Sequence, residues 1–504
     1  MAQEIFDVII IGGGSAGCAA AARLTEDPAC KVLLIEAGPD PQPLPDIVAA
    51  GRRDVNLLLE SDYILMYPSE RKVDGSTFYE LSGRIMGGGS SVNAMAAPRP
   101  TRLDFENWVA HGNPSWSYEE CLPILRRMES DQDFPDSPIH GSSGPIYIKR
   151  PWTFDQPLDE PVQAFIERVT AMGLPICPDL NGPDPFGVGP SASNIKNGAR
   201  QSTTVAYLDP ARGRPNLTIV ADALVTGLKI SGKHVDAVQY VREGQSHSAT
   251  ADRVVLSAGA LHSPQILMLS GIGPEAELNR LGIPVVNNLA GVGENHQDHA
   301  KITMTFEGQT GYQTDWIIPR ARLVYKSDPS LSCGNFHIGA GAPIQVGSLK
   351  PMLPVGANLV QQTNRGRVTL QNRDPAELPN VHSPMLEDPV DIAAMRNAME
   401  FIMEMTHSGG MEQFYGPLIQ PAPSDDWITF AQSTMDSYHH SSGTCMMAPA
   451  SNPRAVVDER LRVHGMDNLW VADASIFPTI PHVNTNLTAI MVGERLSDFF
   501  KEGK

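Results

Sequence analysis

The stretch FDVIIIGGGSAGCAAAARLTEDPACKVLLIEAG, residues 6–38, contains the signals of a strand, a glycine turn, a helix and a second strand. Residues 8–11 are continuously apolar, which is typical of a parallel strand buried on both faces. The alanine-rich segment after the glycines favours a helix. This order predicts a βαβ unit at the start of an α/β chain.

The glycine turn has the G-x-G-x-x-G pattern of dinucleotide-binding loops. Gly12 permits the tight turn, Gly14 lets a pyrophosphate approach the backbone, and Gly17 lets helix and strand pack closely. Ser15 and Ala16 complete the loop, where free N–H groups at the helix N-terminus attract phosphate. The pattern alone does not separate FAD from NAD.

An acidic residue follows the loop at the spacing expected for binding the adenosine ribose. Glu36 ends the second strand and is followed by Ala37, close to the roughly 20-residue spacing of such sites. We expect both residues to contact the cofactor.

Composition excludes several classes of partner. A net charge of −19 argues against nucleic acid and anionic membranes, which need basic surfaces. The six cysteines form no C-x-x-C pair, which favours reduced thiols over disulfides or zinc. Residues 254–274 lack charged side chains, but their glycines and prolines indicate a buried loop and helix rather than a membrane span. The acidic N-terminus predicts no signal peptide, and hence a cytoplasmic protein.

The rest of the chain alternates between two patterns. Residues 216–274 have strand-like runs followed by a helix, which we interpret as a second βαβ-like region. Residues 301–380 contain short strand-like runs separated by Gly and Pro, which predict an antiparallel sheet. A long helix is expected at residues 387–405, with Pro389 in its first turn, and a strand, a proline-rich loop and a helix at the C-terminus.

Three further stretches resemble the glucose–methanol–choline family of FAD oxidoreductases. They are GRIMGGGSSVNAM (83–95), GALHSPQILMLSGIGP (259–274), and HSSGT with VADASIFPTIPHVNTN (440–444 and 471–486). The resemblance runs in order over nearly the whole chain. Within the family, the chain is most similar to compact bacterial members that oxidise aryl, furfuryl or pyridyl alcohols, and less so to choline dehydrogenases.

The resemblance implies a fold and a cofactor. We expect a Rossmann-like FAD-binding domain of the glutathione-reductase type and an interleaved substrate domain on a mostly antiparallel sheet. The expected FAD domain comprises residues 1–150, 190–300 and 436–504, and the substrate domain residues 151–189 and 301–435. Val92 stands where some members attach FAD through a histidine, so we expect noncovalent FAD.

The resemblance also implies contacts along the cofactor, residue by residue. Besides the glycine loop, Glu36 and Ala37, the expected FAD-binding residues are Met86, Gly87, Gly88, Ser90, Asn93, Ala94, Val225, Ala258, Gly259, Asp473, Ala474, Asn484, Thr485, Asn486 and Thr488.

Two of the remaining polar residues suit the chemistry of alcohol oxidation, which removes a proton from oxygen and a hydride from carbon. A neutral imidazole can accept the proton near neutral pH, and an amide can hold the oxygen without adding charge. His440 occupies the position of the base in the family's H-x-x-G-T pattern, and Asn484 that of its partner. The resemblance implies hydride transfer to flavin N5. His439 and His482 are weaker candidates for contact with substrate.

Other interpretations of the site are less favoured. Ser441 and Ser442 beside a histidine suggest a hydrolase, but no G-x-S-x-G elbow follows a strand. His439 and His440 lack further ligands at metal-binding spacing, so we expect no metal. The expected partners are a small primary alcohol, favoured as aromatic or heteroaromatic over choline, and oxygen or another electron acceptor. A redox-silent hydroxynitrile lyase and a non-catalytic flavin-binding relative stay open, as does the oligomeric state.

Overall fold

The computed structural model describes residues 5–50, 58–71, 73–308, 320–340, 351–422 and 424–503. The extreme N-terminus, on which the signal-peptide prediction rests, lies outside these ranges. Strands of the two large sheets are numbered together along the chain. They are β1 Ile5–Ile11, β2 Val32–Ile35, β3 Gly187–Pro190, β4 Leu217–Val220, β5 Ala223–Ser231, β6 His234–Arg242, β7 Gln245–Leu256, β8 Ala300–Gly308, β9 Ala321–Tyr325, β10 Phe336–Ala340, β11 Met352–Leu359, β12 Tyr415–Gln420, β13 Asp436–Ser437 and β14 Leu469–Val471.

Helices are numbered in the same way. They are α1 Ser15–Leu24, α2 Asp46–Ala49, α3 Gly89–Val92, α4 Arg102–Ala110, α5 Tyr118–Met128, α6 Glu160–Ala171, α7 Asp209–Ala211, α8 Gly259–Leu269, α9 Glu275–Arg280, α10 Pro389–Thr406, α11 Trp427–Thr434 and α12 Asn486–Glu502.

The first sheet has the strand order β4-β2-β1-β7-β6-β5, with β14 also paired to β7. Strands β4, β2, β1, β7 and β14 run parallel, and β1, α1 and β2 form the βαβ unit predicted from residues 6–38. All four residues of β2 are buried, as expected for a parallel strand covered on both faces.

The region interpreted as a second βαβ-like unit is built differently. Strands β5, β6 and β7 form an antiparallel meander, and β7 is long enough to leave it and pair with β1 in the parallel sheet. Only the passage from β7 into α8 follows the predicted order, so this interpretation was wrong for β5 and β6. Their alternating patterns fit antiparallel pairing equally well.

The second sheet is antiparallel throughout, with the order β12-β8-β11-β10-β9-β3 and β13 on the edge of β8. The run at residues 366–373 was expected in this sheet. Its strand Gly366–Thr369 lies instead between Glu294–His296 and Asn380–His382 in a separate three-stranded sheet.

Four shorter strand pairings and several isolated bridges complete the β structure described. The strand pairings are Ile64–Glu70 with Thr77–Gly83, Glu129–Asp131 with Ile146–Ile148, Ile195–Lys196 with Ala199–Arg200, and Ile272–Gly273 with Asn287–Asn288, and the bridges include that of Gln297 with Ser442.

Each large sheet has its own hydrophobic core. The first core lies around β1, β2, β7, α1 and α12, and the second around β8, β10, β11 and α10. In α10, Met395, Met399 and Ile402 are buried on one face, and Pro389 lies in the first turn, as predicted. The domain boundaries given above stay a prediction.

Candidate active site

The glycine loop lies between the C-terminal end of β1 and the N-terminus of α1. Gly12 has a φ of +103°, and a Cβ there would meet the Ser257 carbonyl oxygen at 2.4 Å, so both the conformation and the space require glycine. A Cβ on Gly17 would lie 2.0 Å from the Gly12 oxygen. Loop and helix therefore pack as the pattern implies.

Glu36 is buried and bonded to the same loop. Its carboxylate accepts hydrogen bonds from the backbone N–H of Gly13 (2.7 Å) and of Gly38 (2.8 Å). Burial raises the pKa of Glu36 to about 7, although these hydrogen bonds work in the opposite direction. The Glu36 carbonyl oxygen accepts from Ala223 N (2.9 Å), which brings Val225 of β5 to the same edge of the sheet.

Residues 83–95 cover the glycine loop. Gly87 N donates to the Gly13 oxygen (2.6 Å), Gly88 has a φ of +49°, and Met86 is buried against Gly13. The Ser90 hydroxyl donates to the Gly87 oxygen (2.6 Å). The sequence-predicted phosphate and flavin segments therefore meet in the folded protein.

The Asn93 side chain is hydrogen-bonded to the short strand Ala199–Arg200, which the sequence did not predict. Arg200 donates to the Asn93 Oδ1 at 2.7 Å and to its carbonyl oxygen at 2.8 Å. Thr203 lies 2.9 Å from the Ser90 hydroxyl, measured between the two oxygens. Ala94 follows Asn93 and is partly buried.

The C-terminal segment brings a second helix N-terminus to the loop. The Ser15 hydroxyl donates to Asn486 Oδ1 (2.7 Å), which joins the first residue of α1 to the first residue of α12. Thr485 caps α12 without a side-chain hydrogen bond, and the buried Thr488 hydroxyl has no partner in the described structure.

Asp473 connects this segment to α8. Its carboxylate accepts hydrogen bonds from Gly259 N (2.9 Å), the Ser263 hydroxyl (2.6 Å) and Ser475 N (2.8 Å), and burial raises its pKa. Ala258 precedes α8 as its N-cap residue. The Ala474 oxygen accepts from Gly443 N (3.1 Å), so this segment also contacts the turn that contains His440.

These residues leave room for a dinucleotide. A Cβ on Gly14 would meet nothing closer than 3.7 Å, and a Cβ on Gly89 or Gly259 would meet nothing within 4 Å. Protein atoms therefore leave space beside these glycines. Together with the uncapped N-termini of α1 and α12 and the unpartnered Thr488 hydroxyl, this space forms a cradle that an anionic ligand can fill. The chain therefore fits the cofactor that the sequence predicted.

His440 and Asn484 lie together, as the sequence predicted. The Asn484 amide nitrogen is 3.1 Å from His440 Nε2, and His440 is buried. Residues 437–442 run antiparallel to residues 297–300, through the pairing of Ser437 with Ala300 and of Ser442 with Gln297. This pairing fixes the backbone on either side of the histidine.

The hydrogen bonds around the pair determine which ring nitrogen of His440 carries the proton and which carries the lone pair. Arg322 can only donate, so the Asn484 oxygen faces Arg322 Nη1 (3.3 Å) and the amide N–H faces His440 Nε2. Nε2 therefore carries the lone pair and Nδ1 the proton. His440 Nδ1 lies 2.8 Å from His299 Nδ1, which accepts that proton's hydrogen bond.

Both imidazoles of this pair are neutral. Burial, with the neighbouring His299 and His439, lowers the pKa of His440 well below 6.5. Burial and the charge of His482 lower the pKa of His299 to about 3. His440 is thus available as a proton acceptor at neutral pH.

A buried carboxylate holds the backbone of both histidines. Asp298 accepts from His440 N (2.8 Å) and His299 N (2.7 Å), and also from the Ser437 hydroxyl. Burial and the charge of Glu80 raise its pKa to about 7. Asp298 and His299 were missed in the sequence, although their position just before the predicted strand at residue 301 was a usable signal.

The two weaker histidine candidates occupy different environments. His439 is exposed, with a φ of +63°, and its N–H donates to the Ser437 hydroxyl (2.8 Å). His482 is buried and bonded through Nδ1 to Asp104 (2.5 Å). Burial lowers the pKa of His482, but the charge and hydrogen bond of Asp104 outweigh it and raise the pKa to about 10. Contact of either histidine with substrate stays a prediction.

One group within the described residues has metal-like ligands: Glu129, Asp131 and His140. Arginines already neutralise its carboxylates, since Arg99 lies 3.0 Å from Glu129 and Arg150 lies 2.9 Å from Asp131. The group is an internal ion-pair network.

Comparison with known proteins places this geometry in a family. Family models described as GMC oxidoreductase match residues 6–301 and 362–493. The chain belongs to the GMC oxidoreductase family. GMC oxidoreductases use FAD and act on CH–OH groups, so this GMC oxidoreductase is an FAD-dependent alcohol oxidoreductase with an FAD-binding and a substrate domain. Both the fold class and the cofactor predicted from the sequence are confirmed.

Named relatives cover almost the whole of this GMC oxidoreductase. Mitochondrial choline dehydrogenase of Homo sapiens is 34% identical over 99% of this chain and 90% of its own. Oxygen-dependent choline dehydrogenase of Staphylococcus xylosus is 32% identical over 100% and 96%. Pyridoxine 4-oxidase from Mesorbium loti superposes with a TM-score of 0.92 at 29% identity, covering 99% of each chain.

None of the six cysteines, all of which lie in the described ranges, forms a disulfide. Within the described ranges, every helix is too short or too polar to cross a bilayer.

Proposed function

We propose that this GMC oxidoreductase oxidises a small primary alcohol, aromatic or heteroaromatic, to the aldehyde, with His440 as the base. The observation that carries the proposal is the 3.1 Å contact of Asn484 Nδ2 with His440 Nε2. The Asn484 N–H and the Nε2 lone pair are hydrogen-bonded to each other, and a substrate hydroxyl that replaced this bond could accept from the first and donate to the second. The likeness to pyridoxine 4-oxidase supports a ring-bearing substrate.

The alcohol hydroxyl would replace the hydrogen bond between these two nitrogens. His440 Nε2 accepts the hydroxyl proton as the O–H bond breaks, while the Asn484 N–H donates to the oxygen and stabilises its growing negative charge. FAD, when bound, supplies the acceptor for the hydride that leaves the carbinol carbon. Loss of that proton and hydride converts the alcohol to the aldehyde.

His299 and Asp298 position the base. Because His299 Nδ1 accepts from His440 Nδ1, the proton is retained on that nitrogen and the lone pair on Nε2. Asp298 holds the backbone N–H of both histidines. Each acts through His440, so we assign both as positioning residues.

The cofactor contacts inferred from the sequence belong to this proposal, and so does noncovalent FAD. Gly12, Gly14 and Gly17 would face the pyrophosphate, Glu36 the ribose, and Asn486 with Thr488 the flavin ring. A cytoplasmic location, where thiols stay reduced, is part of the proposal and agrees with the lack of disulfides among the six cysteines of the described structure. Oxygen or another acceptor would reoxidise the cofactor.

A choline-type substrate is the second candidate, because choline dehydrogenases are 32–34% identical over nearly the whole chain. One panel separates the candidates. Purified holoprotein is mixed anaerobically with benzyl, furfuryl and pyridyl alcohols and with choline, and flavin bleaching is followed.

Bleaching by ring-bearing alcohols supports the proposal, whereas bleaching by choline alone would favour the second candidate. If neither kind of alcohol reduced the flavin, both would be wrong. Admission of air then shows whether oxygen reoxidises the flavin rapidly.

A further inference from the structure

A small cavity lies beside Asn484. Its lining includes Arg322 of β9, His337 of β10 and His482. Val483, the residue before Asn484, also lines it. Arg322 touches both the cavity and the Asn484 amide, at 3.3 Å. The cavity therefore adjoins the group proposed to hold the substrate oxygen.

Two buried ring nitrogens of this cavity lack hydrogen-bond partners in the described structure. Arg322, His337 and His482 are only 5%, 3% and 5% exposed. His337 Nδ1 and His482 Nε2 are buried without hydrogen bonds in the described structure. Within the same ranges, Arg322 lies in no ion pair, and its hydrogen bond is the one to Asn484. Such buried polar atoms are costly unless a ligand satisfies them.

The charge of the lining is positive. A guanidinium does not lose its proton in proteins. His482 is protonated because Asp104 holds its Nδ1, so its Nε2, with Cys333 as a neighbour, carries a donor N–H. The described lining residues include no aspartate or glutamate. A positively charged lining without carboxylates suits an anion and disfavours a quaternary ammonium ion.

We infer that this cavity binds a carboxylate group, and that the preferred substrate is a primary alcohol bearing a carboxylate beyond the hydroxymethyl group. A carboxylate matches the planar fork of Arg322 and can also accept from His482 Nε2. The inference about the substrate rests on the proposed function, whereas carboxylate binding rests on the cavity alone.

The test compares 4-(hydroxymethyl)benzoate with its methyl ester, which has the same ring and the same alcohol but no charge. Anaerobic flavin reduction of the holoprotein is measured against the concentration of each. We expect the acid to be favoured by about 10-fold or more in rate over half-saturation concentration, as for a charge-assisted hydrogen bond. Benzoate, which has no alcohol, should compete with the ester.

Two variants locate the effect. Arg322→Gln should abolish most of the preference for acid over ester, and Arg322→Lys should restore part of it, because lysine keeps the charge but not the fork. The matched control is Arg373→Gln, which removes the same charge from an exposed turn and should leave the preference intact.

Each outcome decides a separate claim. If the ester is oxidised as well as the acid and benzoate does not compete, the inference is wrong while the proposed function stands. If benzoate competes but the acid is not preferred, the cavity binds carboxylates and the inference about the substrate is wrong. If no alcohol reduces the flavin, the proposed function fails, and calorimetric titration with benzoate still tests the cavity.

Discussion

The protonation of His440 is determined by neighbours that it contacts directly. Arg322 orients the Asn484 amide, the amide identifies Nε2 of His440 as the acceptor, and His299 accepts from Nδ1. Because the Arg322 guanidinium can only donate, it fixes which group is the donor in each of the following hydrogen bonds. Nε2 is thereby held as an acceptor, as the proposed role of His440 as base requires.

Replacing His299 should change the pH dependence as well as the rate. In the native protein, burial and the neighbouring imidazoles keep the pKa of His440 well below 6.5, so protonation removes the base only at acidic pH. His299→Ala removes one of these neighbours and admits water, so the pKa of His440 should rise. We expect kcat/KM to fall about 10-fold or more and its acid limb to move to higher pH.

His299→Asn, which can place an acceptor near the position of Nδ1, should restore part of the rate. His247→Asn, on an exposed strand, is the control and should leave the profile unchanged. A His299→Ala enzyme with reduced stability but an unaltered pH profile would show that His299 does not position the base.

At the scale of single residues, the sequence predicted the pair but not its supports. His440 and Asn484 lie in long motifs, whereas Asp298 and His299 act through backbone and ring contacts across 139 to 142 positions. Contacts over such separations depend on how β8 and β13 pair, which local residue patterns do not contain.

Among the elements, the turn before α1 shows how glycines divide between folding and binding. Gly17 is required by the protein itself, because its Cβ would meet the Gly12 oxygen at 2.0 Å. Gly14 is different, since no protein atom lies within 3.7 Å of its Cβ position. We therefore expect the cofactor, rather than the fold, to require a glycine at position 14.

We therefore expect Gly14→Ala to fold normally and bind FAD poorly. The added methyl group occupies the space through which the pyrophosphate approaches the backbone. Affinity for FAD should fall about 10-fold or more, equivalent to at least about 1.4 kcal/mol. Titration of the apoprotein with FAD measures the affinity, and the melting temperature of the apoprotein measures the fold.

Gly213→Ala is the matched control, because its Cβ meets nothing within 4 Å and Gly213 is not part of the glycine loop. Normal FAD affinity in Gly14→Ala would contradict the assignment of this loop as the pyrophosphate site.

The elements themselves were partly predictable. The βαβ unit and α10 followed from periodicity and from proline and glycine positions. The antiparallel meander β5–β7 and the separate strand Gly366–Thr369 did not, because alternation reveals a strand without identifying its partner. Buried parallel strands gave the clearest signal, since both of their faces must be apolar.

Across the whole molecule, the two sheets meet at the active site. The first sheet supports the cofactor cradle, and the second supplies Arg322 and His337 from β9 and β10. His440 lies where β13 joins the edge of β8. The cradle also joins distant parts of the chain, because Ser15 bonds to Asn486.

Removal of FAD should consequently destabilise the protein. A ligand bound only by the folded state stabilises it by about 2.7 kcal/mol at a free concentration 100 times Kd. We expect the apoprotein to melt at a lower temperature than the holoprotein, and added FAD to restore the difference in a concentration-dependent way. NAD is the control and should leave the melting temperature unchanged. Equal melting temperatures with and without FAD would contradict the cradle as described.

The most direct measurement is the rate of anaerobic flavin reduction by an alcohol substrate in His440→Ala holoprotein, compared with the native protein and with His247→Ala. We expect the variant to retain FAD and to reduce it about 100- to 10,000-fold more slowly, the usual loss on removal of a general base. His247→Ala should match the native rate. Near-native reduction in His440→Ala with FAD bound would show that His440 is not the base.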